Sequence, residues 1–285
     1  MTLQEPLQRL SPSDLETLMD WAALEGWNPG LNDAAAFQVA DPEGFIGYYE
    51  NGELVSAIAA VAYDPAFGFI GLYITRTDKR RLGYGRRVWD AGIARLENRT
   101  IGLDGVPAQQ AKYGSMGFEK AYGTARWSGV LKPEMLAMKT LADADVAAVD
   151  AHNADAVAAF DRRLFPAPRG QFLKSWFGAA RSTAVVSNGN IVLGYGAIRA
   201  CRDGYKIGPL FAETTRIAMT IIDHLIQQTG PVRVDIDIPA MQTTLIEELE
   251  ALGLTKGFET ARMYRGPAPT LHMPGVFAIT SLELG

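Results

Sequence analysis

The sequence predicts an α+β fold built as two similar halves, each with a mixed sheet. The first observation is that GFEKAYGTAR at 117–126 reappears as GLTKGFETAR at 253–262, half a chain later. The second is the order of elements in the first half, where three successive strands precede an α-β-α-β series instead of a regular βαβ alternation. The third is the length and composition of the chain, because 285 residues, 48% of them hydrophobic, are typical of two soluble domains.

The repeat extends beyond this pair of segments. Three further pairs match in the same order, and four ordered matches favour an internal duplication over two unrelated halves with similar turns. The connection is predicted near SGVLKPEML at 128–136, where Pro133 interrupts regular structure. We therefore predict domains at 1–131 and 136–285. The further pairs are NGELVSAIAAV (51–61) with NGNIVLGYGAI (188–198), VPAQQ (106–110) with IPAMQ (238–242), and LSPSDLETL (10–18) with LADADVAAV (141–149).

The first half begins with helices and a hairpin. SPSDLETLMDWAAL at 11–24 opens with a Ser/Asp cap and carries apolar residues at helical spacing. GWNPG at 26–30 breaks the chain, and DAAAFQVA at 33–40 suits a short helix. GFIGYYE and ELVSAIAAVAYD are predicted strands on either side of Asn51-Gly52, which favours a type I′ turn because both positions need positive φ.

The rest of this half supplies the remaining elements. FGFIGLYIT at 67–75 is a third strand, RRVWDAGIARLEN at 86–98 an amphipathic helix and TIGLD at 100–104 a fourth strand. PAQQAKYGSM at 107–116 predicts a short helix, because Pro is favoured in the first turn. FEKAYGTARWSGV at 118–130 is expected to form a closing hairpin or pair of strands.

Composition argues against several classes of function. The net charge of −5 argues against broad nucleic-acid binding and against an anionic membrane surface. The single cysteine, Cys201, permits no internal disulfide, and its strand-end position favours an inert packed thiol over a reactive one. His152, His224 and His272 lack metal-ligand spacing, so we expect no metal site. With no secretory signal and no apolar run near the ~20 residues of a membrane span, we expect a cytoplasmic protein.

One stretch concentrates positive charge in this acidic chain. DKRRLGYGRR at 78–87 holds five cations and two glycines between a predicted strand and a predicted helix. The first N–H groups of a helix lack partners within it and the dipole is positive there, so this position favours phosphate, and glycine lets a ligand approach the backbone. The Rossmann and Walker loops are excluded, because Val88 stands in place of the third glycine and Arg86-Arg87 in place of Lys-Ser/Thr.

Two motifs, separated by a predicted strand, resemble those of the GCN5-related N-acetyltransferases, the GNAT superfamily, and they stand in the same order as in that superfamily. Arg80-x-x-Gly83-x-Gly85 is similar to the superfamily's acyl-CoA pyrophosphate loop, and Tyr113-Gly-Ser-Met-Gly117-Phe118 matches its later Tyr-x-x-x-Gly-Phe signature. The resemblance covers about residues 5–130. It implies two tandem GNAT-like domains, each a mixed, mostly antiparallel twisted sheet flanked by helices, of which the second is diverged.

The resemblance implies acetyl-CoA as cosubstrate and direct attack of an amine on its thioester. Tyr113 matches the tyrosine that protonates the leaving sulfur, although it also suits a helix tyrosine packed on the closing strands. The end of the third strand would bind the pantetheine arm, and the N–H groups of the loop would bind the pyrophosphate. The expected cofactor-binding residues are Tyr73, Ile74, Thr75, Arg80, Arg81, Leu82, Gly83, Tyr84, Gly85 and Arg86.

The general base and the acceptor site are less well determined. Family members often use a carboxylate on the central strand, but FGFIGLYIT contains none. Asp104, at the end of the next strand, is our candidate; it can equally cap the following helix, and a water-mediated route stays open. Trp27 and Asn28 lie where the family places part of the substrate mouth, and there they would provide an apolar wall and a hydrogen-bonding group. The alternative is that they form only a helix-breaking turn with a packed Trp.

The second half departs from the motif. At the positions that correspond to Gly83 and Gly85, this half has residues with large side chains, so we expect it not to bind CoA in the usual way. It would instead complete the substrate pocket or stabilise the first half. Its end, GVFAITSLELG at 275–285, is a predicted strand-like tail. The corresponding positions are Arg216 for Arg80, Met219 for Gly83, Ile221 for Gly85 and Leu249 for Tyr113.

Three functions remain in competition. The first is an N-acetyltransferase acting on a primary amine of a small molecule or peptide. The second is a non-catalytic acyl-CoA-binding sensor or regulatory module, and the third is nucleotide binding without acyl transfer. We expect acetyl-CoA and an amine as ligands, with no nucleic acid and no membrane. The amine, the acyl length and the oligomeric state stay open, a homodimer among the options.

Overall fold

The computed structural model describes residues 6–137, 139–141, 144–178 and 180–285. Residues 1–5, which carry part of the expectation about targeting, and residues 142–143 of the segment 141–149 lie outside the described residues. In the described part of the chain, thirteen strands join in one sheet and eight α-helices flank it.

The first half follows the predicted order of elements, with one additional short strand at its start. The Ser11 hydroxyl caps the first helix by accepting a hydrogen bond from the Asp14 N–H (3.1 Å). The hairpin turns at Asn51 (φ 53°) and Gly52 (φ 82°), as a type I′ turn requires. The elements are β1 (Leu7–Arg9), α1 (Pro12–Leu24), α2 (Asp33–Ala40), β2 (Phe45–Glu50), β3 (Glu53–Ala62), β4 (Phe67–Thr75), α3 (Tyr84–Arg95), β5 (Thr100–Gly105), α4 (Pro107–Ser115) and β6 (Glu119–Leu131).

The second half has a similar plan, and the matched segments 51–61 and 188–198 both lie in hairpins. The pairing of 10–18 with 141–149 in the predicted repeat is wrong, because residues 145–147 form a strand whereas the first of these segments enters a helix. The elements are β7 (Asp145–Ala147), α5 (Ala154–Asp161), α6 (Gly170–Trp176), β8 (Arg181–Asn188), β9 (Ile191–Ala200), β10 (Tyr205–Ala212), α7 (Thr215–Thr229), β11 (Val232–Pro239), α8 (Thr243–Ala251), β12 (Thr255–Arg265) and β13 (Val276–Ala278).

The two halves exchange their last long strands. β6 pairs antiparallel with β11 of the second half, and β12 pairs antiparallel with β5 of the first. β6 and β12 also pair with each other, which places Thr124 opposite Thr260. The predicted closing hairpin or pair of strands at 118–130 is wrong, because the two ladders of β6 run from Glu119 to Leu131 and leave no residues for a turn. The strand order is β1-β2-β3-β4-β5-β12-β6-β11-β10-β9-β8-β7, with β13 beside β10.

Both faces of β3 are buried, which explains its long apolar run. Ala57 and Ala59 pack in the core of α1 and α2, whereas Ile58 and Ala60 pack in the core of α3. The first of these cores continues into the second half. Helices α2 and α6 meet through stacked rings of Phe37 and Trp176, whose centroids lie 6.1 Å apart. The halves therefore share a hydrophobic core as well as a sheet.

The C-terminal tail forms a strand only at β13, so the prediction of a longer strand-like tail is wrong. After β13 the chain turns back, and the Gly285 N–H donates to the Ser281 carbonyl oxygen (3.1 Å). The tail packs against β4 at Gly71, where a Cβ atom would lie 1.8 Å from the Glu283 carbonyl oxygen. The Tyr63 hydroxyl binds the carbonyl oxygen of the penultimate residue (2.9 Å). The end of the second half is thereby fixed to the central strand of the first.

Candidate active site

β4 and β5 separate at the centre of the first half. Their parallel pairing runs only from Phe67 to Ile70 on the β4 side. Leu72 then has a φ of +46°, and the register between β4 and β3 shifts at the same place. A bulky residue rarely adopts positive φ, so this is a local backbone distortion that the sequence did not signal. Beyond it, residues 71–75 present an edge of β4 that does not pair with β5.

A cavity of about 550 Å³ lies at this gap. Its wall comes from the end of β4, the loop before α3, the end of β5, helix α4 and the loop after α1. The structure thus brings together most of the predicted site. The predicted residues that line the cavity are Trp27, Tyr73, Ile74, Thr75, Arg80, Arg81, Gly83, Gly85, Arg86, Asp104 and Tyr113.

The loop between β4 and α3 has the geometry of an anion cradle. Gly83 has a φ of +90°, which other residues rarely adopt, and a Cβ atom at Gly85 would lie 2.9 Å from both Thr75 Oγ1 and Tyr73 Oη. In the first turn of α3, the N–H groups of Tyr84 and Gly85 have no acceptor among the described residues, whereas those of Arg86 and Arg87 donate to the Gly83 carbonyl oxygen (3.1 and 3.3 Å). These residues therefore fit the diphosphate of an acyl-CoA.

Positive charge exceeds negative charge on the cavity wall. Arg80 is held in place, because its Nε donates to the Thr75 carbonyl oxygen (3.1 Å) and its Nη2 donates to the Glu25 carboxylate. Lys112, which the sequence analysis missed, has its Nζ 5.8 Å from the centre of the Tyr73 ring. An excess of cations attracts a polyphosphate. Among the described residues, the cations on the wall are Arg80, Arg81, Arg86 and Lys112, and the acids are Glu25 and Asp104.

Tyr113 lines the cavity from α4, and packing fixes its ring. The ring stacks on Trp89, with centroids 5.4 Å apart, and meets Phe118 edge-on. Gly105 permits this position, since a Cβ atom there would lie 3.1 Å from Tyr113 Cδ2. Burial raises the pKa of Tyr113 to about 12, so the phenol stays protonated at neutral pH. Tyr113 is both a packed tyrosine and a cavity residue, so the two sequence interpretations are compatible.

Asp104 lies on the cavity wall, but its carboxylate binds a residue of the other half. Arg262 Nε and Nη2 donate to its two oxygens at 2.9 and 2.8 Å, and the Asp104 side chain is buried. Burial raises the pKa of the Asp104 carboxyl, and Arg262 opposes this shift. The interpretation of Asp104 as a helix cap is wrong, because Val106 is the N-cap of α4 and no side chain caps that helix.

Trp27 lines the cavity, whereas Asn28 does not. The Trp27 carbonyl oxygen accepts hydrogen bonds from Arg126 (3.0 Å) and Lys206 (3.1 Å), which fixes the loop after α1. Asn28 Nδ2 donates to the Asp203 carbonyl oxygen (2.9 Å), which ties the same loop to the second half. Asn28 therefore anchors the mouth of the cavity and does not form its surface.

Two residues of the predicted cradle point elsewhere. Leu82 is 60% exposed, and the Tyr84 ring packs on Tyr48 while its hydroxyl donates to the Glu50 carboxylate. Their expected contribution is through main-chain N–H groups, which these side-chain positions leave unchanged. The sequence analysis also missed residues on the wall because no motif marks them. These are Glu25, Ile70, Gly71, Leu103, Val106, Gln109 and Lys112.

In the second half, the chain itself fills the corresponding gap. β10 and β11 pair only from Tyr205 to Ile207 on the β10 side and then separate, as β4 and β5 do. Beyond this point β13 pairs with β10, and the Ile279 N–H donates to the Asp237 carbonyl oxygen of β11 (3.1 Å). The residues at the positions of the two cradle glycines and of Tyr113 are buried in the core. They are Met219, Ile221 and Leu249.

The described residues contain neither a metal-binding cluster nor a helix suited to cross a bilayer. No group of three or more His, Cys, Asp and Glu side chains there is placed to hold a metal ion. None of the described helices combines the length and the apolar character that a bilayer crossing needs. Cys201 is buried, and burial raises the pKa of its thiol.

The splayed strand pair, the glycine cradle and the duplicated halves define a tandem-domain acyltransferase of the GNAT fold. The chain belongs to the GCN5-related N-acetyltransferase family. The model of the acetyltransferase (GNAT) family matches residues 12–118, and that of the acetyltransferase (GNAT) domain matches residues 157–278. The resemblance stated from the motifs is therefore confirmed, as is the α+β tandem fold.

Two relatives align along nearly the whole chain. Holothin acyltransferase from Pseudoalteromonas sp. (strain SANK 73390) is 34% identical over 279 residues, which cover 96% of this chain and 93% of the relative. The uncharacterized N-acetyltransferase YitH from Bacillus subtilis (strain 168) is 25% identical over 290 residues, which cover 100% of both chains.

Two solved structures share the fold at low sequence identity. A putative acetyltransferase from Pyrococcus horikoshii has a TM-score of 0.80 at 18% identity, with 100% of this chain and 98% of that chain covered. A tandem GNAT protein from the clavulanic acid biosynthesis pathway has a TM-score of 0.63 at 17% identity, with 92% and 99% covered. At these identities the likeness concerns the fold alone.

Proposed function

We propose that the protein transfers the acetyl group of acetyl-CoA to a primary amine of a small molecule or peptide by direct attack. The observation that carries this proposal is that the glycine cradle and Tyr113 line one cavity at the gap between β4 and β5. The relative named holothin acyltransferase supports acyl transfer as the reaction.

Acetyl-CoA supplies an activated thioester. The cradle at Gly83 and Gly85 binds the diphosphate through the N–H groups of the first turn of α3, and the edge of β4 at residues 73–75, which does not pair with β5, binds the pantetheine arm. The Tyr113 hydroxyl donates a hydrogen bond to the sulfur and transfers its proton to it as the carbon–sulfur bond breaks. Its pKa of about 12 keeps that proton in place until then. The amine nitrogen gains the bond to the carbonyl carbon as the carbon–sulfur bond breaks, the sulfur gains the Tyr113 proton, and the nitrogen loses one proton to a base. Tyr113 regains a proton from solvent and the base releases one, so the turnover balances.

Asp104 is the proposed proton acceptor, acting through a water molecule. Arg262 occupies two of the roughly four lone-pair positions of the buried carboxylate, and a water admitted from the cavity would use one of the others. The raised pKa of Asp104 makes it a stronger base than an exposed carboxylate. Trp27 forms the apolar side of the proposed acceptor site, and Asn28 holds the loop that carries it.

The decisive experiment is an acetyl-CoA consumption assay over a panel of primary amines, with thiol release as the signal. We expect at least one amine to raise release above the rate without an acceptor and to yield the acetylated product. Acetyl-CoA should also protect the protein against thermal unfolding where ATP does not. If acetyl-CoA binds and no amine is acetylated, the protein is a non-catalytic acyl-CoA sensor and the proposal is wrong.

A further inference from the structure

The C-terminal tail of the second half touches β4 at the point where that strand leaves β5. A Cβ atom at Gly71 would lie 1.8 Å from the Glu283 carbonyl oxygen, so this oxygen occupies the space of a side chain. Gly71 also lines the active-site cavity. Glycine is required there, because the strand and the tail could not both keep their positions around a larger residue.

Two further contacts fix the tail along the same strand. The Tyr63 hydroxyl donates to the Leu284 carbonyl oxygen (2.9 Å). A Cβ atom at Gly285 would lie 3.1 Å from two carbons of the Phe69 ring. Residues 283–285 therefore lie against β4 at the end of its pairing with β5.

The backbone next to this contact is strained. Leu72 has a φ of +46°, which a bulky residue rarely adopts. Such strain costs energy, and it persists only where the surrounding structure holds it. The Leu72 side chain is buried in the same hydrophobic core as Leu284. The tail is thus part of the packing that holds Leu72 in its conformation.

This packing matters because β4 has only one neighbouring strand here. β3 still pairs with it on one edge, where Ser56 lies opposite Thr75 and Ala57 lies opposite Ile74. On the other edge, the pairing with β5 ends at Ile70. With a strand on one side only, the conformation of residues 71–75 depends on what packs against their face.

We propose that the tail is a positioning element for acyl transfer. Through the Glu283 carbonyl oxygen and the Leu284 side chain, it holds residues 71–75 in the conformation that binds the thioester end of acyl-CoA. The second half thereby contributes to the active site, although it has no cradle of its own. This inference rests on the proposed function, because it concerns the same cavity.

The first test compares Leu284→Ala with Leu173→Ala, since both remove the same buried side chain from the same core and both should lose stability. Leu284→Ala should lower kcat by about tenfold to a hundredfold, because a misplacement of about 1 Å has an effect of this size. Calorimetry should show that it also binds acetyl-CoA about threefold more weakly, a small loss because the cradle is unchanged. Leu173→Ala should keep the wild-type kcat and affinity at a temperature where both variants are folded.

A milder pair of variants decides the question if Leu284→Ala does not fold. Tyr63→Phe removes only the hydroxyl that binds the tail, and Tyr49→Phe removes one that binds Asp14 (2.8 Å) away from the cavity. Tyr63→Phe should lower kcat by about threefold or more, whereas Tyr49→Phe should leave it unchanged.

Equal kcat and equal affinity for acetyl-CoA within each pair of variants would overturn the inference, since the tail would then only stabilise the fold. Failure of the proposed function gives a different result, in which the wild-type protein acetylates no amine. In that case the affinities for acetyl-CoA, which need no reaction, still show whether the tail positions residues 71–75.

Discussion

Arg262 in β12 and Asp104 in β5 lie directly opposite each other on neighbouring strands, and the guanidinium donates two hydrogen bonds to the carboxylate. Arg126 and Asp237 repeat this arrangement in reverse, with Arg126 in the first half and distances of 2.8 and 3.0 Å. The two arginines are the ones that the repeat aligns. Each exchanged strand is therefore joined to the other half by a buried ion pair.

Arg262→Met should destabilise the protein strongly. Removal of one partner from a buried pair leaves the Asp104 charge uncompensated, which costs about 3–5 kcal/mol. Arg202→Met, at an exposed pair with Asp20, should cost at most about 1 kcal/mol. Denaturant unfolding measures both values, and Arg262→Met combined with Asp104→Leu should regain much of the loss. If Arg262→Met and Arg202→Met lose equal amounts of stability, the buried pair has no special structural role.

Tyr113→Phe should reduce kcat by about 10²–10⁴-fold with little change in the affinity for acetyl-CoA. The substitution keeps the stacked ring and removes the hydroxyl that is proposed to protonate the sulfur. Stopped assays give kcat and calorimetry gives Kd. Tyr205→Phe in the second half is the matched control, and an equal effect there would show that Tyr113 has no special part in the reaction.

Gly85→Ala should weaken the binding of acetyl-CoA at least about tenfold. The added Cβ atom would lie 2.9 Å from Thr75 Oγ1 and Tyr73 Oη, so either the cradle or these two side chains must shift, and both changes alter the wall of the cavity. A tenfold loss corresponds to about 1.4 kcal/mol. Gly170→Ala is the control, because nothing lies within 4 Å of a Cβ atom there. Undiminished thermal protection of Gly85→Ala by acetyl-CoA would show that the diphosphate binds elsewhere.

The protein should lose stability as the pH falls below about 4. Burial raises the pKa of Asp237, but Arg126 and Lys206 outweigh burial and hold it below its ordinary value of 3.8. A lowered pKa means that the folded state favours the charged form, so this stabilisation is present above pH 3.8 and is lost below it. Thermal unfolding across this range should show a falling Tm. Asp237→Asn should have a lower Tm at pH 7, and its Tm should change less with pH than that of the wild-type protein. If the slope of Tm against pH is the same in both proteins, the ion pair of Asp237 with Arg126 does not cause the loss of stability.

One molecule of acetyl-CoA should bind per chain. In the second half, β13 pairs with β10 in the gap that corresponds to the cavity, and Met219 and Ile221 are buried where the cradle glycines would stand. Calorimetry should therefore give a stoichiometry near one, and Gly85→Ala should weaken that one site. A second binding event that survives in Gly85→Ala would place a functional site in the second half.

Local signals determined much of this protein. The Asn51-Gly52 turn, the Ser11 cap and the helix that starts at Pro107 depend on residues close in sequence, so their patterns were sufficient. The cradle is local too, because its two glycines, its cations and the start of α3 lie within ten residues. The duplication was visible because equivalent strands kept similar sequences. The domain limits at 131 and 136 stay a prediction, since strand exchange joins the halves into one sheet.

The tertiary structure decided the long-range pairing. Nothing in the sequence of β6 distinguishes a return to β5 from a crossing to β11, because both partners offer the same backbone ladder and a similar apolar surface. The strand exchange brings Arg262 next to Asp104, which lies 158 residues away in sequence. Asp104, the candidate base, is therefore bound by a guanidinium, which its own stretch of sequence does not indicate. The distortion at Leu72, the filling of the second gap by β13 and the contact of Glu25 with Arg80 have the same origin. Each depends on which segments meet in space, and this is decided by the packing of the whole chain and not by any short run of residues.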